Sequence, residues 1–366
     1  MKRLNCLKHL KAGGCLGALL LGATPNAWSQ APAQLITLWD FNDASTATIS
    51  KDTLHGIVGT NIATAGFTAE GGGRTGQGTD RAIDLKTAGN NYVRVPSGGF
   101  INFAAANDDM TVTFWQKRYS VGNSSTFWMA SPSSPSTQRG FQAHVPWGDS
   151  TIYFDSAGCC GSDTRISANI STFPGYTGDA GFWTNWHHFT FLKSGPIKQI
   201  YIDGQLFHEG FDAIPLPLDF TELWIGATVG GGNYVRGIVD DFALWGNALD
   251  PAHIQQLAGG ATPTSLVVDT DNDGMPDWWE DQFTLNKNSN DATADADNDG
   301  LNNLGEYRAL TDPKNPDSDG DGLQDGVETN TGVWVSATDA GTNPLRTDTD
   351  GDGLSDGVET NSGTFV

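Results

Sequence analysis

Residues 317–328 read DSDGDGLQDGVE, and residues 348–359 read DTDGDGLSDGVE. Carboxylates on every second residue repel one another, so such a run folds only around something positive. The arrangement is specific. A hard cation takes six to eight oxygens at about 2.3–2.6 Å, and a twelve-residue loop supplies them from side chains at positions 1, 3 and 5. A glycine at 6 makes the turn, position 9 helps directly or through water, and a glutamate closes at 12. Four segments carry this pattern: Asp269, Asp271, Asp273, Asp277 and Glu280; Asp295, Asp297, Asp299, Asn303 and Glu306; Asp317, Asp319, Asp321, Asp325 and Glu328; Asp348, Asp350, Asp352, Asp356 and Glu359. Residues 263–366 hold 23 acids and 4 bases, and 19 of those acids fall in ligand positions, which a solvated acidic linker has no reason to arrange. Calcium is the expected ion. Binding and ordering are then one event, because the segment holds few apolar residues of its own.

An EF-hand needs a helix entering each loop, but LTDPKNP precedes the third loop and GTNPLRT the fourth, and proline there opposes one. Helices leaving the loops are expected at residues 278–283 and 303–310. The pattern resembles bacterial thrombospondin type 3 repeats, which implies successive calcium loops stacked along an ion-filled core. Cellulosome dockerins fit less well, having two loops with helices after them. Departures from the repeat pattern are the uneven spacings of 26, 22 and 31 residues and the neutral Asn303. The last repeat stops at Val366 where its counterpart continues, so the chain is expected to be truncated at its C-terminus.

The net charge of −23 is uneven: +4 over residues 1–29, −8 over 30–262 and −19 beyond. An acidic tail disfavours nucleic acid and anionic membrane as partners. MKRLNCLKHLK, then the apolar AGGCLGALLLGA and Ala27-Trp28-Ser29, reads as a signal peptide over 1–29, cleaved before Gln30. A lipoprotein anchor at Cys15 is disfavoured because most of the apolar run follows it. That run is too short to span a bilayer, and no later stretch could. The expected location is secreted or cell-surface.

Residues 30–262 have a different grammar. MTVTFWQKR (110–118) alternates Met110, Val112 and Phe114 against Thr111, Thr113 and Trp115. KQIYIDGQLFHE (198–209) is two strands around an Asp203-Gly204 turn. Only DPAHIQQLAGG (250–260) looks helical, with proline in its first turn and glycine at its stop. Many short strands with glycine turns predict an all-β, two-sheet antiparallel sandwich, followed from 263 by a loop-rich region with short helices. The blocks LWDF (38–41), RAIDL (81–85), NYVRVP (91–96), MTVTFW, NWHHFTF (185–191), QIYIDG (199–204), LWIGA (223–227) and GIVDDFALWGNALDPAHIQQL (237–257) resemble, in that order, the laminin-G-like branch of the concanavalin A-like jelly rolls. That resemblance implies two face-to-face antiparallel sheets in a family used for carbohydrate and protein binding. It also suggests a structural ion at Asp240-Asp241 beside Asp40, against the alternative of a solvated acidic pair.

Catalytic signals are thin. Glycan cleavage needs two carboxylates at a set separation, but Glu70, Glu209 and Glu222 are each isolated, and there is no GxSxG elbow. GGGRTGQG (71–78) lacks the Lys-Ser/Thr of a P-loop and reads as a flexible loop. His187 and His188 are neighbours on a strand, so they face opposite ways and cannot chelate one ion. HVPWGDSTIYFDSAGCCGSDTR (144–165) gathers His144, Trp147, Tyr153, Asp155 and Arg165: either a sugar platform or a long hairpin packed on the sheet, the second being favoured. Cys159 and Cys160 are expected to form a vicinal bridge, with two free thiols as the alternative. The sequence therefore suggests an exported, non-enzymatic adhesion or recognition protein, its jelly roll binding a glycan or extracellular protein from a calcium-ordered stalk. An accessory module of a secreted glycan-degrading enzyme, or an unrecognised enzyme of that kind, is the alternative.

Overall fold

Strand alternation becomes two eight-stranded antiparallel sheets in the computed structural model, which describes residues 31–161 and 163–362. The signal-peptide reading lies outside these residues. The first sheet runs Gln205–Phe211, Ile197–Ile202, His187–Ser194, Asp109–Arg118, Gly237–Trp245, Ile83–Asp84 and Gly66–Phe67, with Leu35–Trp39 also paired to Gly237–Trp245. The second runs Arg165–Asn169, Thr151–Ser156, Arg139–His144, Phe127–Ala130, Glu222–Ile225, Tyr92–Val95, Val58–Ile62 and Ile49–Lys51. Met110, Val112 and Phe114 face inward and meet Phe127, Phe141 and Phe154 of the second sheet in one apolar core. Thr111 and Thr113 turn the other way, where Thr111 Oγ1 donates to the Asn247 carbonyl and Trp245 Nε1 donates to Thr113 Oγ1.

The expected hairpin turn has Asp203 at φ 50° and Gly204 at φ 77°, the left-handed pair that a type I′ turn demands. The expected helix runs Pro251–Ala258, its N-terminus capped by the Asp250 carboxylate accepting from the His253 N–H. His188 is buried, while His187 stacks on Phe182 and pairs with Asp203 at 2.6 Å.

Composition changes near residue 262, but the core continues past it. Helix Asp277–Phe283 leaves the first carboxylate loop and helix Asn303–Ala309 leaves the second. Trp278, Trp279, Tyr307 and Leu310 join the same apolar cluster as the sandwich. Trp278 and Trp279 lie 6.4 and 5.9 Å from the Phe103 ring, Trp279 lies 5.4 Å from Tyr307, and Tyr307 meets His55 at 5.2 Å. The carboxylate loops and the sandwich belong to one compact unit beginning at Pro32. A freestanding stalk is therefore not what this structure holds, because the first two loops dock on the sandwich through large aromatics. Each tryptophan buries about 150–250 Å², worth at most roughly 4–6 kcal/mol at about 25 cal/mol per Å². No helix among the described residues is long and apolar enough to cross a membrane.

Candidate metal centres

All four loops repeat one hydrogen-bond scheme. The position-1 carboxylate accepts from the position-6 glycine N–H: Asp269 from Gly274 at 3.1 Å, Asp295 from Gly300 at 3.1 Å, Asp317 from Gly322 at 3.0 Å and Asp348 from Gly353 at 2.9 Å. The position-3 carboxylate accepts from the position-5 N–H, and position 5 accepts from position 7. These glycines have φ of 94–100°, where a Cβ would be strained. One or both oxygens of each ladder aspartate are thus tied to backbone, which fixes the direction in which each carboxylate points. Asp269, Asp271 and Asp273 bring oxygens within 4.8 Å of one another, as do Asp295, Asp297 and Asp299, and Asp317, Asp319 and Asp321. Like charges this close repel one another, and a cation among them turns that repulsion into attraction.

The closing glutamates sharpen the point. Both carboxylate oxygens of Glu280 and of Glu328 are buried with no hydrogen-bond partner, and so is Oε2 of Glu306. Burial, with the neighbouring aspartates, pushes Glu280 up to about 8 and Glu306 and Glu328 up to about 9. Charged carboxylates in such a place need a cation, and an all-oxygen set from these residues suits calcium. Asp269, Asp271, Asp297 and Asp319 each also keep one buried, unpartnered oxygen.

A second kind of cluster links adjacent loops. Asp321 and Glu328 of the third loop come within 4.8 Å of Asp356, from position 9 of the fourth. Position 9 is held for this by its own loop's second residue: Thr349 donates to Asp356 through its N–H at 2.9 Å and its hydroxyl at 2.7 Å. Asp277 with Thr270 and Asp325 with Ser318 repeat the clamp. The loops touch directly as well, since Gly326 N–H donates to Asp299 and Gly357 N–H to Asp321, both at 2.9 Å. A Cβ on Gly357 would sit 2.3 Å from the Asp321 carbonyl, and one on Gly326 2.7 Å from that of Asp299. Glycine at position 10 of the last two loops is thereby explained.

In the second loop Ala296 and Asn303 replace the clamp, and Asn303 Nδ2 donates instead to the Asp291 carbonyl at 3.1 Å. Asp291 joins Asp273 and Glu280 in a further cluster. The loop template missed Asp291, which belongs to no loop. The signal for it was the neutral Asn303, where the last two loops have an acid.

On the sandwich, His144, Trp147, Tyr153, Asp155 and Arg165 come together on the outer face of the second sheet. Cross-strand partners there form one row: Arg94, Trp224, Trp128, Gln142, Asp155, Arg165. Tyr92 stacks on Trp224 at 4.6 Å, and the Arg165 guanidinium lies over Tyr153. Much of this group is internally satisfied. Asp155 is buried and paired with Arg139 at 2.9 Å and Arg165 at 2.5 Å, with Gln142 also donating to it. His144 is buried with Nδ1 against Ser125 Oγ and the Ser124 carbonyl, and burial lowers its pKa to about 4. Cys159 and Cys160 are bridged. At Asp240-Asp241 the positive charge comes from Arg74, whose guanidinium pairs with Asp241 and whose N–H donates to Asp240 at 2.8 Å. The glycine cluster read as a flexible loop thus carries a buried ion-pair residue.

Residues 87–255 match the family model described as the concanavalin A-like lectin/glucanases superfamily, and residues 317–332 and 348–364 match the bacterial TSP3 repeat. A concanavalin A-like sandwich precedes bacterial TSP3 repeats. No curated protein matches the chain. Similar solved structures include domain 4 of AbnA, a GH43 extracellular arabinanase from Geobacillus stearothermophilus in complex with arabinotriose, at 16% identity and TM-score 0.44, covering 62% of this chain and all of that one. A Trypanosoma rangeli sialidase is similar at 14% identity and TM-score 0.44, covering 62% of this chain and 32% of that one. The binding domain of botulinum neurotoxin serotype D is similar at 14% identity and TM-score 0.45, covering 62% and 52%. The chain thus spans about a third to a half of the latter two.

Proposed function

We propose that this is an exported, calcium-dependent recognition protein without catalytic activity. Its jelly roll, bounded near residues 29 and 262, binds a carbohydrate or extracellular protein ligand. The repeats beyond it are ordered by calcium and hold that domain in place at the cell surface or in a secreted polypeptide. The observation that carries the calcium half is the pair of buried glutamates, Glu280 and Glu328, with no partner for either oxygen. Hydrogen bonding within the protein leaves them unsatisfied, and a divalent cation is the group that would stabilise them. The binding half is supported by the superfamily match and by the outer sheet face, where Trp147, Tyr153, Tyr92 and Tyr234 remain half-buried, Tyr153 beside Arg165 and Tyr234 beside Arg236. Rings beside donors are what a sugar site uses. Calcium titration calorimetry on the chain, followed by a glycan array in calcium and in chelator, tests both halves. Absence of calcium heat sinks the first, and release of reducing sugar from a bound glycan sinks the non-catalytic reading.

A further inference from the structure

A cavity of about 700 Å³ lies where the repeats meet the sandwich, within the range of small-ligand sites. One wall comes from the sandwich, with Ile57, Ser97 and Phe100; the other comes from the second to fourth repeats, with Arg308, Asn330 and Arg346. Residues 263–366 contain only four bases, and two of them line this cavity. Lys287 is spent on Asp281 at 2.5 Å and Lys314 donates to Thr284. Arg308 and Arg346 make no ion pair and no side-chain hydrogen bond with any described residue, although the tail around them carries −19. Arg308 is exposed and Arg346 is half-buried with Asp348 near enough to feel its charge, so neither guanidinium is locked in an ion pair, and two such groups lining one cavity suit an oxyanion.

From this placement, we propose that the cleft binds an acidic saccharide, its carboxylate or sulfate held by Arg308 and Arg346. The Ser97 hydroxyl and Asn330 amide, which have no side-chain partner among the described residues, would meet its neutral hydroxyls. The inference rests on the calcium reading above in one respect. Asp325 and Glu328 also line the cavity, and a cation that offsets their charge favours an anion beside them. Affinity for the saccharide and for calcium is then coupled, each strengthening the other. The cleft is separate from the aromatic face of the second sheet.

The experiment uses the whole chain in millimolar calcium, with calorimetric titration of trigalacturonate, a sulfated chondroitin disaccharide and neutral maltotriose. Binding of either acidic probe but not maltotriose is expected, and which acidic probe binds tells carboxylate from sulfate recognition. The Arg308→Gln/Arg346→Gln pair is expected to weaken it at least about tenfold, while calcium heats persist and report that the repeats are intact. Trp147→Ala leaves it unaltered. Equal binding by the arginine variant, equal binding of maltotriose, or displacement by hexaglutamate as effective as by the saccharide overturns the cleft. Calcium binding with no acidic probe bound overturns the cleft alone. Acidic-probe binding that survives chelator, with no calcium heat, overturns the calcium reading and leaves the cleft standing.

Discussion

The sandwich and the repeats bury opposite things. In the sandwich the fully buried side chains are rings such as Trp39, Phe114 and Phe189. In the repeats they include Glu280, Glu306, Asp325, Glu328 and Asp356. The first region is held by apolar area, which needs nothing from the solvent. The second accumulates like charge in each loop, and a cation must offset it. The repeats themselves divide. Loops one and two dock on the sandwich through Trp278, Trp279 and Tyr307, whereas the segment from 317 reaches the same core through the half-buried Leu345 and presents Leu323, Val333, Trp334, Val335 and Leu354 outward or nearly so. The lesson is that metal dependence should grade along the chain, strongest where apolar contact is weakest.

Chelation tests that gradient most severely. Each site at tenfold its dissociation constant contributes about 1.4 kcal/mol, so removing ions from several sites exceeds the effect of any single substitution. Limited proteolysis in chelator should cut within 317–362 first, within 269–310 later, and in the strands of 35–245 last. Small-angle scattering should show expansion. Uniform resistance to protease in chelator would break the comparison.

Trp279→Ala attacks the docked half. Removing a buried tryptophan costs about 3–5 kcal/mol. With calcium present, the variant should unfold at lower denaturant, and the repeats should become chelator-sensitive along their full length, because the apolar anchor is gone. A variant whose 269–310 segment stays as resistant as wild type would mean that ions alone hold that half.

Glu328→Gln sharpens the picture within the more lightly docked half. Glu328 shares a cluster with Asp321 and Asp356, so the loss should reach loop four as well as loop three. Calorimetry should lose more than one site, or lose one and weaken its neighbour by about tenfold. If loop four keeps full affinity, the two loops are independent and the inter-loop cluster holds no shared ion.

Much of this was legible in the chain. The ladder spacing placed the loops, and period-two alternation placed Met110, Val112 and Phe114 inward, because both patterns are local. The Asp203-Gly204 turn and the Pro251 helix are local too. What escaped was non-local. Nothing in PDWWED says that its tryptophans meet Phe103, some 175 residues earlier. Asp291 is one acid among many until the fold brings it to Asp273 and Glu280. Arg74, in a glycine-rich stretch, gave no hint that it would supply the cation at Asp240-Asp241, because an arginine's partner is set by tertiary approach.

The smallest effect concerns protons and the sandwich alone. His188 is buried against Trp115 with its Nδ1 unpartnered, and burial lowers its pKa to about 3. An unfolded histidine titrates near 6.5, so between these values the unfolded chain holds the extra proton. The stability from keeping His188 neutral is complete above about pH 6.5 and falls as the solution is acidified. At pH 6 the loss is about 0.8 kcal/mol, by linkage. Asp52, raised to about 6 by burial, works in the opposite direction, so the raw pH profile mixes the two. Comparison with His188→Phe separates them, because the ring keeps its packing on Trp115 and loses its proton site. In saturating calcium, the wild type should lose more urea resistance than His188→Phe between pH 8 and pH 6. Equal losses would mean that His188 takes up its proton in the folded sandwich, leaving acid sensitivity in this range to the other buried histidines, His55 and His144.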